Sequence, residues 1–285
     1  MPRLYNKIYA KVTSGFAALT GCKKWLADRG VASKNYYLNK DASYNHGCYD
    51  SLIFGKVAKL MGGDVRCMIT ASAPISKEVL DLMKIAFSCP VLEAYGLSET
   101  LGACNITMAE DPISGTVGGP ALTYSLKLKD LPEMNYCLDD KPFPRGEILI
   151  GGPCMFRGYF NNPQKTQEML DEDGFVHTGD VGVMYPNGTV KILDRSKNIF
   201  KLAQGEYLAP EKLENIFIQS DHISQCLVYG DSLKAFAVAI VVIEAGAIKA
   251  WADKNSTTVE EIISTQNATY KKVVTDSIAA LHKKR

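Results

Sequence analysis

Two short strand-like runs, Val181 to Tyr185 and Thr189 to Leu193, flank Pro186-Asn187-Gly188. Asparagine followed by glycine supplies backbone positions that tolerate positive φ, so the chain is expected to reverse here in a tight hairpin. This feature constrains the fold most, because it sets the residues just before Val181 beside those just after Leu193. Asp180 is expected just before the first strand and Arg195 just after the second. An acidic group able to bind a sugar diol and a neighbouring cation are thereby held at one end of one element.

Residues 1 to about 60 read as helices, with Tyr5, Ile8, Tyr9, Val12 and Phe16 at helical spacing and Trp25-Leu26 in a second run. Thr13 to Lys24 faintly echoes a phosphate-binding loop. Its glycines, Gly15 and Gly21, are too far apart, and helix rather than strand precedes them, so a helix and its C-terminal turn are expected. From Gly62 the pattern changes. Val65 to Thr70 reads as a buried strand, and Ser76 caps a helix carrying Val79, Leu80, Leu82, Met83 and Ala86 inward. Pro90 to Glu93 starts a second strand. Strand, helix, strand implies a parallel pair, whose ligands bind at the carboxyl ends of the strands. Two loops are expected there, Ala71-Ser72-Ala73-Pro74 and Glu93-Ala94-Tyr95-Gly96-Leu97-Ser98-Glu99-Thr100. The small residues of the first let backbone groups approach a planar ligand. The second supplies an aromatic face with room beside it, then a hydroxyl and a carboxylate.

Asp111 to Gly152 is rich in glycine, proline and short strands, among them Ser125 to Lys129 and Gly146 to Ile150, and predicts an antiparallel β unit that includes the hairpin. Asp139-Asp140 reads as a solvated turn, Asn161-Asn162-Pro163 as the start of a short helix, and His177 as structural. Beyond 207 the pattern is α+β: a helix opened by Pro210, strands at Ile223 to Tyr229 and Ala235 to Ile243, and three further helices.

A hydrophobic content of 46% in 285 residues suffices for a real core, and a net charge of +1 with mixed signs argues against a nucleic-acid surface. The eight cysteines are scattered without a C-x-x-C pair or a cysteine–histidine cluster, which argues against zinc and fits a reducing compartment. The longest apolar run, Ala235 to Ile243, is too short to span a bilayer.

The segment Thr178-Gly179-Asp180, the hairpin, Asp194 to Lys201 and Gln204-Gly205-Glu206-Tyr207 together resemble the signature of long-chain fatty acyl-CoA synthetases, within the AMP-forming adenylating enzymes. The resemblance implies a partial large domain over 1–193, itself a parallel-sheet α/β unit (1–110) and an antiparallel β unit (111–193). A hinge at 194–206 and a small C-terminal α+β domain over 207–285 would come next. It implies that Asp180 and Arg195 bind the ribose of ATP, and that Ala71, Ser72, Ala73, Glu93, Ala94, Tyr95 and Gly96 enclose the adenine. Ser98 would meet the phosphates and Glu99 would hold Mg²⁺. Lys197 and Lys201 match lysines on the hinge side of that pocket, though they read equally well as solvated surface. Serine stands at 98 where threonine is commoner, and Ala71-Ser72 where many members have glycines.

The function implied is ATP-dependent activation of a long-chain fatty acid to its acyl-CoA through an acyl-adenylate. ATP, Mg²⁺, coenzyme A and the fatty acid would be its small-molecule ligands, and nucleic acid would be no partner. The place implied is the cytoplasmic side, with peripheral attachment to the endoplasmic reticulum or another organelle membrane left open. Two alternatives stay open: a nucleotide-binding fragment without catalysis, and an adenylating enzyme for another carboxylic acid. The family's glycine-rich phosphate loop would precede residue 1 and its C-terminal lysine would lie beyond residue 285. The chain as written is therefore expected to form no acyl-CoA at a measurable rate.

Overall fold

In the computed structural model, residues 2–73, 75–111, 114–203, 207–230, 234 and 236–282 are described. The chain divides into two compact units, Met1–Ser196 and Lys197–Arg285.

The first unit opens with α1 (Pro2–Ala17) and α2 (Gly21–Asp41), then short helical turns from Gly47 to Met61. Helical periodicity places Tyr5 and Val12 inside, as expected. The Thr13 to Lys24 echo is two helix segments and the turn between them, with the Thr13 hydroxyl bonded back to the Tyr9 carbonyl at 2.8 Å.

Next come β1 (Met68–Ala71), α3 (Lys77–Phe87) and β2 (Val91–Leu97), with β1 and β2 parallel. The Ser76 hydroxyl accepts the Val79 N–H at 3.4 Å, and α3 buries Val79, Leu80, Met83 and Ala86 against Phe54, Met68 and Val91, and Leu82 against Val12 and Leu38. Two expectations need correction. The first strand starts at Met68 rather than Val65, and it is half-buried in alternation: Met68 and Thr70 point inward while Ile69 is exposed. The second strand runs on to Leu97, so Glu93, Ala94, Tyr95 and Gly96 lie in it and not in a loop. The cause is β3 (Gly102–Ile106), which pairs antiparallel with the second half of β2. A Cβ on Gly96 would sit 1.8 Å from the Gly102 carbonyl oxygen, so only glycine admits this pairing. The short β4 (Gly119–Pro120) completes a mixed four-stranded sheet in the order β1-β2-β3-β4.

The second sheet holds β5 (Ser125–Lys129), β6 (Arg145–Gly151), β7 (Val176–Met184) and β8 (Val190–Arg195) in that order, all antiparallel. Between β6 and β7 lies α4 (Pro163–Met169), its first turn capped by the Asn162 side chain, which accepts the Lys165 N–H at 3.0 Å. The β7–β8 turn is closed by bonds between Tyr185 and Gly188 and between Tyr185 and Thr189, with Gly188 at φ +80°. The two sheets are stitched together: Val117 donates to Val190, and Val190 donates to Gly118. Cys104, Ile148, Ile150 and Val190 form the core beneath this junction, with Tyr95 packed against it.

The second unit carries a two-stranded ribbon of β9 (Phe200–Lys201) and β10 (Tyr207–Leu208), then α5 (Pro210–Phe217) and the antiparallel pair β11 (Ile223–Tyr229) and β12 (Val238–Ile243). Helices α6 (Ala245–Lys254), α7 (Val259–Ser264) and α8 (Ala268–His282) complete it. Its core is Ile223, Ile248, Ala252, Ile262, Tyr270 and Val274. The strand expected from Ala235 begins at Val238. The sequence feature at Gln204-Gly205-Glu206 lies outside the described residues.

Candidate nucleotide-binding site

Asp180 sits within β7 and Arg195 ends β8, so both strands run further toward these residues than the sequence suggested. The two are register partners across the hairpin. Asp180 is only 4% exposed. Its Oδ2 accepts the Tyr95 phenol at 2.6 Å, and its Oδ1 lies 3.4 Å from the Arg195 Nε, on a side chain that is 61% exposed. The strand is bent to bring this carboxylate inward. Gly179 has φ +69°, the Thr178 hydroxyl accepts the Asp180 N–H at 3.1 Å and donates to the Ile148 carbonyl at 2.6 Å, and Ser196 donates to the Gly179 carbonyl at 2.8 Å. Burial raises the Asp180 pKa, against the lowering by Tyr95 and Arg195. Burial, and then the Asp180 charge, push the Tyr95 phenol well up, so it stays a proton donor. A carboxylate fixed in this way, with an exposed guanidinium beside it, can accept hydrogen bonds from a diol and attract an anion next to it.

Tyr95 joins this pair to β2, whose neighbouring residues form the rest of the site. Ala94 is the register partner of Ala71, so the Ala71–Ala73 loop and the Glu93–Tyr95 segment lie side by side at the carboxyl end of the parallel pair. Ser72 and Ala73 are exposed, and Ser72 adopts φ +75°, the left-handed conformation in which glycine is commoner. Glu93 is half-buried. Its backbone N–H donates to the Thr107 hydroxyl at 2.9 Å, and its Oε1 accepts the Gly115 N–H at 2.8 Å. Burial pushes its pKa up to about 7; the Gly115 bond and Lys84 oppose this, while Asp81 and Asp111 add to it.

Beyond Leu97 the chain turns through Ser98, Glu99 and Thr100. Thr100 is fully buried and braces the turn, accepting the Leu97 N–H at 2.9 Å and donating to the Gly102 carbonyl at 2.7 Å. Ser98 is exposed and Glu99 half-buried. The Tyr159 phenol donates a short hydrogen bond to Glu99 Oε1, and Phe156 donates to the Glu99 carbonyl at 2.8 Å. Lys197 is exposed and opens the second unit, and the side chain of Lys201 lies outside the described residues.

Two other features are structural. His177 pairs with Glu147 at 3.1 Å, and Asp140 pairs with Arg145 at 2.8 Å while accepting the Cys137 N–H at 3.0 Å. Among the described residues no three His, Cys, Asp or Glu side chains converge as a metal cage, and no helix is long and apolar enough to cross a membrane. Sequence reasoning missed Tyr159 and Thr107. Tyr159 comes directly after Gly158 as Tyr95 comes directly before Gly96, an aromatic–glycine pairing that could have marked it.

A family model described as AMP-binding enzyme matches residues 2–160. The chain belongs to this family. The peroxisomal long chain acyl-CoA synthetase 7 of Arabidopsis thaliana is 44% identical over 254 residues, 88% of this chain and 36% of that protein. The human long-chain-fatty-acid–CoA ligase 1 is likewise 44% identical over 254 residues, 89% of this chain and 36% of the ligase. The chain thus spans about a third of the length of these relatives, and the resemblance to long-chain acyl-CoA synthetases is borne out. Among solved structures, the A domain of a carboxylic acid reductase from Segniliparus rugosus, in complex with AMP and a co-purified carboxylic acid, matches with TM-score 0.68 at 27% identity. That match covers 90% of this chain and 38% of the domain. The adenylation domain of a carboxylate reductase from Mycobacterium chelonae matches with TM-score 0.67 at 32% identity, over 89% and 37%. The mixed α/β sheet with its attached antiparallel sheet is accordingly the adenylating-enzyme fold.

Proposed function

We propose that this chain is the nucleotide-holding part of an AMP-forming long-chain fatty acid–CoA ligase. The observation that carries the reading is the buried Asp180 carboxylate, held between the Tyr95 phenol and Arg195 at the mouth of the parallel pair. In this reading Asp180 accepts the ribose hydroxyls and Arg195 lies beside the same nucleotide. Glu93, Ala94, Tyr95 and Gly96, with Ala71, Ser72 and Ala73 beside them, enclose the adenine. The fatty carboxylate oxygen attacks the α-phosphorus of ATP, the bond to the bridging oxygen breaks, and pyrophosphate leaves. The CoA sulfur then attacks the acyl carbon and AMP leaves. Neither step needs a protein nucleophile, so the protein contributes positioning and charge.

Ser98 and Glu99 would meet the phosphate end. An exposed hydroxyl beside a carboxylate with one oxygen taken by Tyr159 is a hard-oxygen donor set, which suits Mg²⁺ shared with substrate phosphates rather than caged by protein alone. When bound, Mg²⁺ would neutralise charge on those phosphates. The two compact units would be the large and small domains, with 194–206 as the hinge. Attachment to an organelle membrane would be peripheral.

The test is AMP binding by calorimetry. Asp180→Ala should weaken it by about 1.5–3 kcal/mol, the worth of a charge-assisted contact. Unchanged affinity in a folded variant would refute the ribose assignment. Palmitate-dependent exchange of pyrophosphate into ATP, compared with benzoate and measured on a version extended at both ends, would separate a fatty-acid enzyme from one acting on aryl acids.

A further inference from the structure

The loop from Pro153 to Asn162 has no role in the function proposed above, yet it is bound to the turn carrying Glu99 at two points. One is the Phe156 N–H on the Glu99 carbonyl at 2.8 Å, and the other is the Tyr159 phenol on Glu99 Oε1. We propose that Tyr159 is a positioning residue for Glu99, holding one carboxylate oxygen so that the other is aimed at the cation of a metal–nucleotide complex. This rests on the reading that Glu99 holds Mg²⁺.

The phenol is itself fixed from behind. The Tyr159 N–H donates to the Thr166 hydroxyl at 2.9 Å, and that hydroxyl donates to the Asn162 carbonyl at 2.9 Å, on the residue that caps α4. Gly158 has φ +141°, and a Cβ there would lie 2.8 Å from Thr166 Cγ2, so the loop reaches this close only with glycine. The Phe156 ring meets the Tyr159 ring edge-on at 5.1 Å, and the Lys165 ammonium lies 5.1 Å above the Tyr159 ring. From the other side, buried Thr100 braces the turn that presents Glu99. Glu99 Oε2 takes no hydrogen bond among the described residues. A carboxylate gripped at one oxygen and left open at the other is pre-oriented for a single metal bond. Partners that orient a metal ligand in this way typically contribute on the order of 10–100-fold in metal affinity.

The test uses the chain with Mn²⁺ as the spectroscopic probe and a non-hydrolysable ATP analogue, beside AMP binding without metal. Tyr159→Phe keeps the ring stack and removes only the hydroxyl. It should weaken Mn²⁺ binding to the analogue complex about tenfold, leave metal-free AMP affinity unchanged, and alter the EPR line shape of the bound Mn²⁺. Glu99→Gln should abolish the contribution of the protein to Mn²⁺ affinity. If Glu99→Gln matters and Tyr159→Phe changes neither Mn²⁺ affinity nor the EPR line shape of the bound Mn²⁺, the positioning role is overturned while the metal reading stands. If Glu99→Gln leaves Mn²⁺ affinity intact, the metal reading fails and the proposal fails with it.

Discussion

Replacing Glu93 with glutamine should remove a pH dependence built into the first unit. The carboxyl lies beneath the segment that carries Gly115, with Lys84 and Asp81 facing it from α3 and Asp111 from the loop after β3. Burial raises its pKa from the ordinary 4.5 to about 7. The native protein therefore binds this proton more tightly than the unfolded chain. Between pH 4.5 and 7 it holds more protons, so stability falls as pH rises through that window and levels off above it. A shift of this size corresponds to at most about 3 kcal/mol at about 1.4 kcal/mol per pH unit. Glutamine keeps an oxygen for the Gly115 N–H and cannot ionise. At pH 8 Glu93→Gln should thus be more stable than the parent by up to about 3 kcal/mol, and at pH 4.5 by nothing. Hydrogen exchange of the β2 amides, measured from pH 4.5 to 8 and corrected for intrinsic rates, reads the first unit separately from the second. A parent-minus-variant difference that is flat across this range, or that rises with pH, would refute the reasoning.

Three further substitutions probe the frame around the site. Ser72→Gly relieves a left-handed serine and should raise the urea midpoint, with a net gain of about 0.5–1 kcal/mol after the extra freedom of the unfolded glycine. Lys34, only 1% exposed, donates to Asp50 at 2.5 Å and to Ser88 at 2.8 Å and lies over the Phe54 ring. Lys34→Ala strands the Asp50 charge and should cost about 3–5 kcal/mol in chemical denaturation, whereas Lys34→Ala combined with Asp50→Ala should cost clearly less than the two singles summed. Gly96→Ala forces the β2–β3 pairing apart and with it the reach of Tyr95 to Asp180, so AMP binding should fall at least tenfold even where the variant stays folded. Unaltered affinity in folded Gly96→Ala would show that the hairpin does not position Tyr95.

Short-range chemistry was legible in the sequence because it depends on neighbours a few residues away. The Ser76 cap, the Asn162-Pro163 helix start and the Asn187-Gly188 reversal each rest on one hydrogen bond or one permissive φ within a single turn, and each forms where expected. Strand ends were less legible. The second half of β2 is a strand only because β3 comes back beside it, and that pairing depends on the missing side chain of Gly96. The candidate residues Asp180, Glu93 and Glu99 were marked by the family resemblance of their motifs, but the contacts that would tune them come from far along the chain. Tyr95 reaches Asp180 across 85 residues and Tyr159 reaches Glu99 across 60. Burial, which raises the pKa of both Glu93 and Asp180, is a property of the packed interior and appears in no local pattern. The sequence by itself determined where the local turns form and, through its family resemblance, which groups are candidates for holding a nucleotide. The tertiary structure alone decided which partner meets each of these carboxylates, because desolvation and long-range hydrogen bonds exist only once the sheets have closed on one another.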